Sequence, residues 1–103
     1  MNKFSILALA SALALIAGPS YAGDAAAGKT KAAAACNDCH GDDGKGDDDN
    51  PGVAGMSEGD FTKAITEYQN GTRTKDAQMT KAAKKLTPAD VANLAAYYAK
   101  LPK

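Results

Sequence analysis

A chain of 103 residues with 12 basic and 12 acidic side chains has room for one domain, and its balanced charge excludes a protein built to grip nucleic acid or an anionic membrane surface. Hydrophobic residues make up 45%, but with no Trp, 2 Phe and 4 Tyr the large apolar side chains are few. A core made of them alone would be thin, and domains this small usually add a disulfide, a metal or a cofactor.

The first stretch reads as an export signal. Asn2 and Lys3 give a short positive start, and Phe4 to Ala17 is an apolar run broken only by Ser5 and Ser11. Gly18-Pro19 ends the run, and Ser20-Tyr21-Ala22 sets small residues at the two positions a signal peptidase reads. A membrane-spanning helix needs about 20 apolar residues, more than this run offers. Residues 1–22 are therefore expected to be a signal peptide cleaved after Ala22, and Gly23 to Lys103 one exported, periplasmic domain with a single net negative charge.

The alanine-rich segment from Asp24 to Ala35 favours a helix, with Asp24 at the positive end of its dipole. Cys36-Asn37-Asp38-Cys39-His40 follows, then a glycine- and aspartate-rich stretch to Asn50-Pro51 with no periodicity, which predicts a loop. A second helix is expected from Ser57, which caps it ahead of Glu58 and Asp60. Phe61, Ala64, Ile65 and Tyr68 form its apolar stripe, and Gly71 ends it. Thr72 to Lys85 is polar and basic and predicts a long loop, with Met79 isolated within it. The last helix has the strongest signals: Thr87 as cap, Pro88 at the first position, Asp90 three residues after the cap, and a stripe of Val91, Leu94, Ala95 and Tyr98. No segment alternates as a strand would, so the fold class is all-α.

Cys36-x-x-Cys39-His40 is the sharpest feature. Two thiols at this spacing can each add to a vinyl group of haem, and the adjacent histidine then falls beneath the iron; the pattern marks c-type haem attachment. Three alternatives fit less well. A thioredoxin-like dithiol expects a βαβ context. Zinc needs a fourth ligand, and the chain has no other Cys or His. A plain disulfide leaves the thin core unexplained. His40 is the only histidine, so a second axial ligand from this chain would be a methionine, Met56 or Met79. An isolated thioether in a polar stretch favours Met79, whereas Met56, just before a helix cap, suits a core plug.

The order of these features resembles the class I cytochromes c, nearest the short bacterial cytochromes of the c553, c5 and c4-domain kind. The resemblance spans Gly23 to Lys103 and rests on Cys36-Asn37-Asp38-Cys39-His40-Gly41, Pro51-Gly52-Val53-Ala54-Gly55, Met79 ahead of Leu86-Thr87-Pro88-Ala89-Asp90, and Leu94-Ala95-Ala96-Tyr97-Tyr98. It implies about three main helices around one haem c, with Cys36 and Cys39 as thioether tethers and His40 and Met79 as axial iron ligands. It also implies that the first and last helices cross at Gly28, near Leu94 and Tyr97, and that the Pro51 carbonyl holds the free nitrogen of His40. The chain departs from the family in having Ala32 where relatives often carry an aromatic, and no proline near Met79.

The function so implied is electron transport, not catalysis. A periplasmic carrier of this kind, expected as a monomer, would pass single electrons from a donor such as a quinol-cytochrome c oxidoreductase or a dehydrogenase to a terminal oxidase or reductase in a respiratory chain. The alternative is a five-coordinate haem protein that senses a gas or reduces peroxide. Asp42, Asp43, Asp47, Asp48 and Asp49 lack calcium-loop spacing and suit a solvated loop, and Lys75, Lys81, Lys84 and Lys85 could guide an acidic partner or simply keep a loop soluble.

Overall fold

The computed structural model describes residues 23–103; the expected signal peptide, residues 1–22, lies outside the described residues. Five helices follow in order: α1 (Ala25–Ala35), α2 (Asn37–His40), α3 (Glu58–Asn70), α4 (Ala77–Lys84) and α5 (Pro88–Lys100). There is no strand among the described residues, and none of their helices is long and apolar enough to cross a membrane.

Each longer helix starts on a side chain that satisfies its free N–H groups. The Asp24 carboxylate accepts from the N–H of Ala26 at 2.9 Å and Ala27 at 3.3 Å. Ser57 Oγ accepts from Asp60 N–H at 3.1 Å. At α5 the bonds are reciprocal: Asp90 N–H donates to Thr87 Oγ1 at 3.1 Å, and Thr87 N–H donates to the Asp90 carboxylate at 3.0 Å. The bond from Thr87 N–H holds the Asp90 carboxyl below the usual carboxylate range, with Lys31 helping from 3.5 Å.

One expectation fails. The long loop predicted from Thr72 to Lys85 contains α4, so Met79 lies on a helix. Asp76 caps it, accepting from Gln78 N–H at 2.9 Å and Met79 N–H at 3.1 Å. Met79, Ala82, Ala83 and Leu86 then recur on one face, a short stripe hidden among lysines and threonine. Ala83 is fully buried by that face, while Lys81 and Lys84 stay exposed.

α1 packs on α5, and α3 packs on both α5 and α4. The α1–α5 crossing is close because Gly28 has no side chain: a Cβ there would run into the Asn93 carbonyl oxygen and come within 2.8 Å of Tyr97 Cβ. The crossing partners are thus Asn93 and Tyr97; Leu94, expected at this point, is buried in the core instead. Asp24 N–H closes the crossing on Asn93 Oδ1 at 2.8 Å.

The core is small. Ala32, Phe61, Ile65, Ala83, Val91, Leu94, Ala95 and Tyr98 form one cluster, and among the described residues Tyr98 and Leu94 are the largest side chains buried completely. The Phe61 and Tyr98 rings meet at 5.6 Å between centroids. Around this cluster pack the half-buried Cys36, Met56 and Met79, so three of the residues singled out in the sequence border the same core.

Candidate haem site

The Cys-x-x-Cys-His segment is a single helical turn. Cys36 ends α1, its N–H donating to Ala32 O at 2.8 Å, and at the same time opens α2, its carbonyl accepting from Cys39 N–H at 3.2 Å and His40 N–H at 3.0 Å. The turn fixes Cys36, Cys39 and His40 by backbone bonds alone. Both thiols are free, Cys36 half-buried and Cys39 exposed, so they are not paired in a disulfide. Burial pushes the Cys36 thiol up, against smaller opposing effects of the Tyr98 hydroxyl and Lys31.

The loop after His40 is built rather than slack. Gly46 N–H donates to His40 O at 2.8 Å, returning the chain beneath the histidine. Asp47 then organises the turn: its carboxylate accepts from Asp49 N–H at 2.9 Å and Asn50 N–H at 2.8 Å, and its own N–H donates to Asn50 O at 2.9 Å. Those backbone bonds hold the Asp47 carboxyl below its ordinary range. At least one aspartate of the acidic run is therefore part of the scaffold.

The turn delivers Pro51 to the histidine. His40 Nδ1 lies 2.8 Å from the Pro51 carbonyl oxygen. A carbonyl can only accept, so Nδ1 carries the proton and the lone pair of the ring is on Nε2, the tautomer that a metal needs. Gly46 is required here, with φ at +71°, because a Cβ on it would strike the Asn50 carbonyl and come within 2.7 Å of Pro51 O.

Two buried polar atoms near Cys36 have no hydrogen-bond partner, Asn37 Oδ1 and the Tyr98 hydroxyl. The hydroxyl faces the Cys36 sulfur without the geometry of a bond, and burial, then Cys36, raises its ionisation well above the usual phenol range. Two free thiols on one turn, an imidazole with a free Nε2, a thin core and two orphaned polar atoms together fit a covalently tethered haem. Zinc does not fit: no cluster of three or more metal-ligating residues exists among the described residues.

The sequence profile of the cytochrome c family matches residues 25–102. The chain belongs to the cytochrome c family. It is 40% identical over 100 residues to cytochrome c4 of Pseudomonas aeruginosa, covering 96% of this chain and 48% of that protein. It is 41% identical over 80 residues to cytochrome c-554(548) of Halomonas halodenitrificans, covering 75% of this chain and 95% of that one. The solved cytochrome c4 of Acidithiobacillus ferrooxidans superposes with a TM-score of 0.72 at 35% identity, over 82% of this chain and 52% of its own. The chain thus spans about half the length of the cytochrome c4 relatives, 48% and 52%, and nearly all of the shorter cytochrome c. Membership gives the chain a class I cytochrome c fold and a covalently bound haem c.

Sequence reasoning singled out Cys36, Cys39, His40, Met56 and Met79 but missed four residues that set the site's geometry. Gly46 and Asp47 shape the loop to Pro51, Asp76 caps the Met79 helix, and Gln69 bonds to its far end. Asp76 had a readable signal, an aspartate just ahead of the Met79–Leu86 stripe. Gln69 had none, because its partners are backbone carbonyls 14 and 17 residues away.

Proposed function

We propose that the protein is a periplasmic one-electron carrier, exported by residues 1–22, with Cys36 and Cys39 as the thioether tethers and His40 and Met79 as the two axial ligands of a single haem. The bond from His40 Nδ1–H to Pro51 O carries this reading, because it leaves Nε2 as the ring's donor to a metal and fixes the plane of the ring. When bound, haem supplies reversible one-electron exchange between ferric and ferrous iron.

The chain's own residues set how that exchange proceeds. The Pro51 carbonyl, by accepting from His40, raises the basicity of the imidazole and favours the ferric state. A thioether ligand acts the other way and favours ferrous iron. Met79 suits that role because Asp76 fixes its backbone N–H and its side chain packs on the core that Cys36 also borders. Met56 borders that core too, but it precedes a helix cap and also lines a surface groove with Lys45, Asp60 and Lys103. Were His40 and Met79 both to hold the iron, no coordination site would be left open for a substrate, as a carrier requires. Exposed Lys81 and Lys84 stand on the side of α4 turned away from Met79, and exposed Lys75 and Lys85 flank the helix, so that α4 presents a positive outer face. Such a face would speed docking to an acidic donor or acceptor more than it would tighten it.

Optical spectra of the exported protein, oxidised and reduced, test the reading. A low-spin c-type spectrum with the far-red thioether-to-iron band is expected, lost in Met79→Ala and kept in Met56→Ala. A high-spin protein that takes up carbon monoxide freely when reduced would replace the carrier with a gas-binding or peroxide-reducing haem protein.

A further inference from the structure

The C-terminal end of α4 lacks the usual glycine cap. Lys85 follows in a right-handed conformation, and its N–H turns back to Ala82 O at 3.2 Å, while Leu86 N–H reaches Ala83 O at 3.1 Å. What ties this end to the rest of the protein is a side chain from α3. Gln69 Nε2 donates to Ala83 O at 2.9 Å and to Leu86 O at 3.3 Å. Both bonds are partly buried, and both protons of the carboxamide are engaged. Among the described residues, Gln69 is the only side chain from another element that hydrogen-bonds to α4. The Asp76 cap lies within the same segment and so orders α4 without fastening it to anything.

We propose that Gln69 is a positioning residue for the distal ligand: its carboxamide pins α4 to α3 and so keeps Met79 at the iron. This rests on the reading of Met79 as ligand. Met79 occupies the first turn of α4 and Ala83 the last, so a helix of 8 residues moves as one short rod. Packing of Ala83 and Met79 against the core supplies contact, but contact between apolar faces permits sliding. Two hydrogen bonds from one planar amide fix both register and rotation. Without them, α4 would lift more often and Met79 would leave the iron more often, while α1, α3 and α5 kept their own packing.

The test follows ferric protein as free imidazole replaces the thioether, a reaction limited by departure of Met79. Loss of two partly buried hydrogen bonds in Gln69→Leu should speed imidazole binding about tenfold. Gln69→Lys, which still presents N–H donors to the helix carbonyls, should stay close to the unaltered rate. Asn93→Ala removes a hydrogen bond at the α1–α5 crossing and serves as the comparison: it should lower thermal stability without changing the imidazole rate. If Gln69→Leu lowers thermal stability as Asn93→Ala does but leaves the imidazole rate unchanged, the proposal is overturned. Should Gln69→Leu fail to hold haem, proton exchange in the unaltered protein decides. Carboxamide protons of Gln69 that exchange together with the amides of Lys81 to Ala83 support the proposal, and carboxamide protons that exchange far faster overturn it. Met79→Ala is measured first. If it keeps the far-red band, the ligand reading itself fails; if it loses the band and Gln69→Leu has no effect on imidazole binding, only the role of Gln69 fails.

Discussion

His40 and the carbonyl that orients it are 11 residues apart, and the chain between them closes on itself through bonds at His40 O, Asp47 and Asn50. Met79 is held by other means. It rides on a helix of 8 residues that packs on α3 and is bonded to it by one glutamine. One side of the proposed haem site is thus a locked turn that continues directly from α1, the helix that crosses α5, and the other is a short rod leaning on a neighbour. In the proposed carrier that asymmetry would divide the work: the tethered side would keep the cofactor in place, and the α4 side would set how readily the iron opens.

The largest effect is expected where the locked side depends on a missing side chain. Gly28→Ala puts a Cβ against the Asn93 carbonyl, where backbone rather than a flexible side chain must move. Chemical denaturation should show a loss of about 3 kcal/mol. A near-neutral result would mean that α1 and α5 can separate without cost, and the claim of a locked side would fall.

A smaller effect, on the same side but at its loop, should follow from Gly46→Ala. The left-handed backbone alone costs about 1–2 kcal/mol in a residue with a Cβ, and the added atom crowds Asn50 and Pro51. With the Pro51 carbonyl displaced, His40 becomes a weaker donor and the reduction potential should move positive in potentiometry. An unchanged potential would separate the loop from the tuning of the histidine.

The smallest effect belongs to the α4 side. Asp76→Ala removes the cap that bonds Met79 N–H, costing about 1 kcal/mol. That loss is local: ferric imidazole binding should quicken several-fold while global denaturation barely shifts. If global stability fell in step, α4 would be part of the locked body.

How much of this was legible beforehand divides along the same line. Cys36, Cys39 and His40 announce themselves by spacing, and Thr87, Pro88 and Asp90 start α5 as read, because a helix cap and a motif are local in sequence. The Pro51 and Gly28 contacts come from family resemblance; the structure bears out the first, and at the second it keeps Tyr97 and puts Asn93 nearest to Gly28. The sequence predicts a loop where α4 stands because lysines and threonine dilute its four-residue apolar stripe. Its anchor was invisible because Gln69 acts on carbonyls, which every residue has. Ala32, where relatives often have an aromatic, is fully buried.

Native-state amide exchange on the ferric protein, before and after imidazole occupies the iron, tests the asymmetry most directly. The predicted result is that amides of Lys81 to Ala83 lose protection on imidazole binding while those within α1 and α5 keep theirs. Protection lost equally in α1, α4 and α5 would show that the molecule opens as one unit, and the division into a locked side and a leaning one would be wrong.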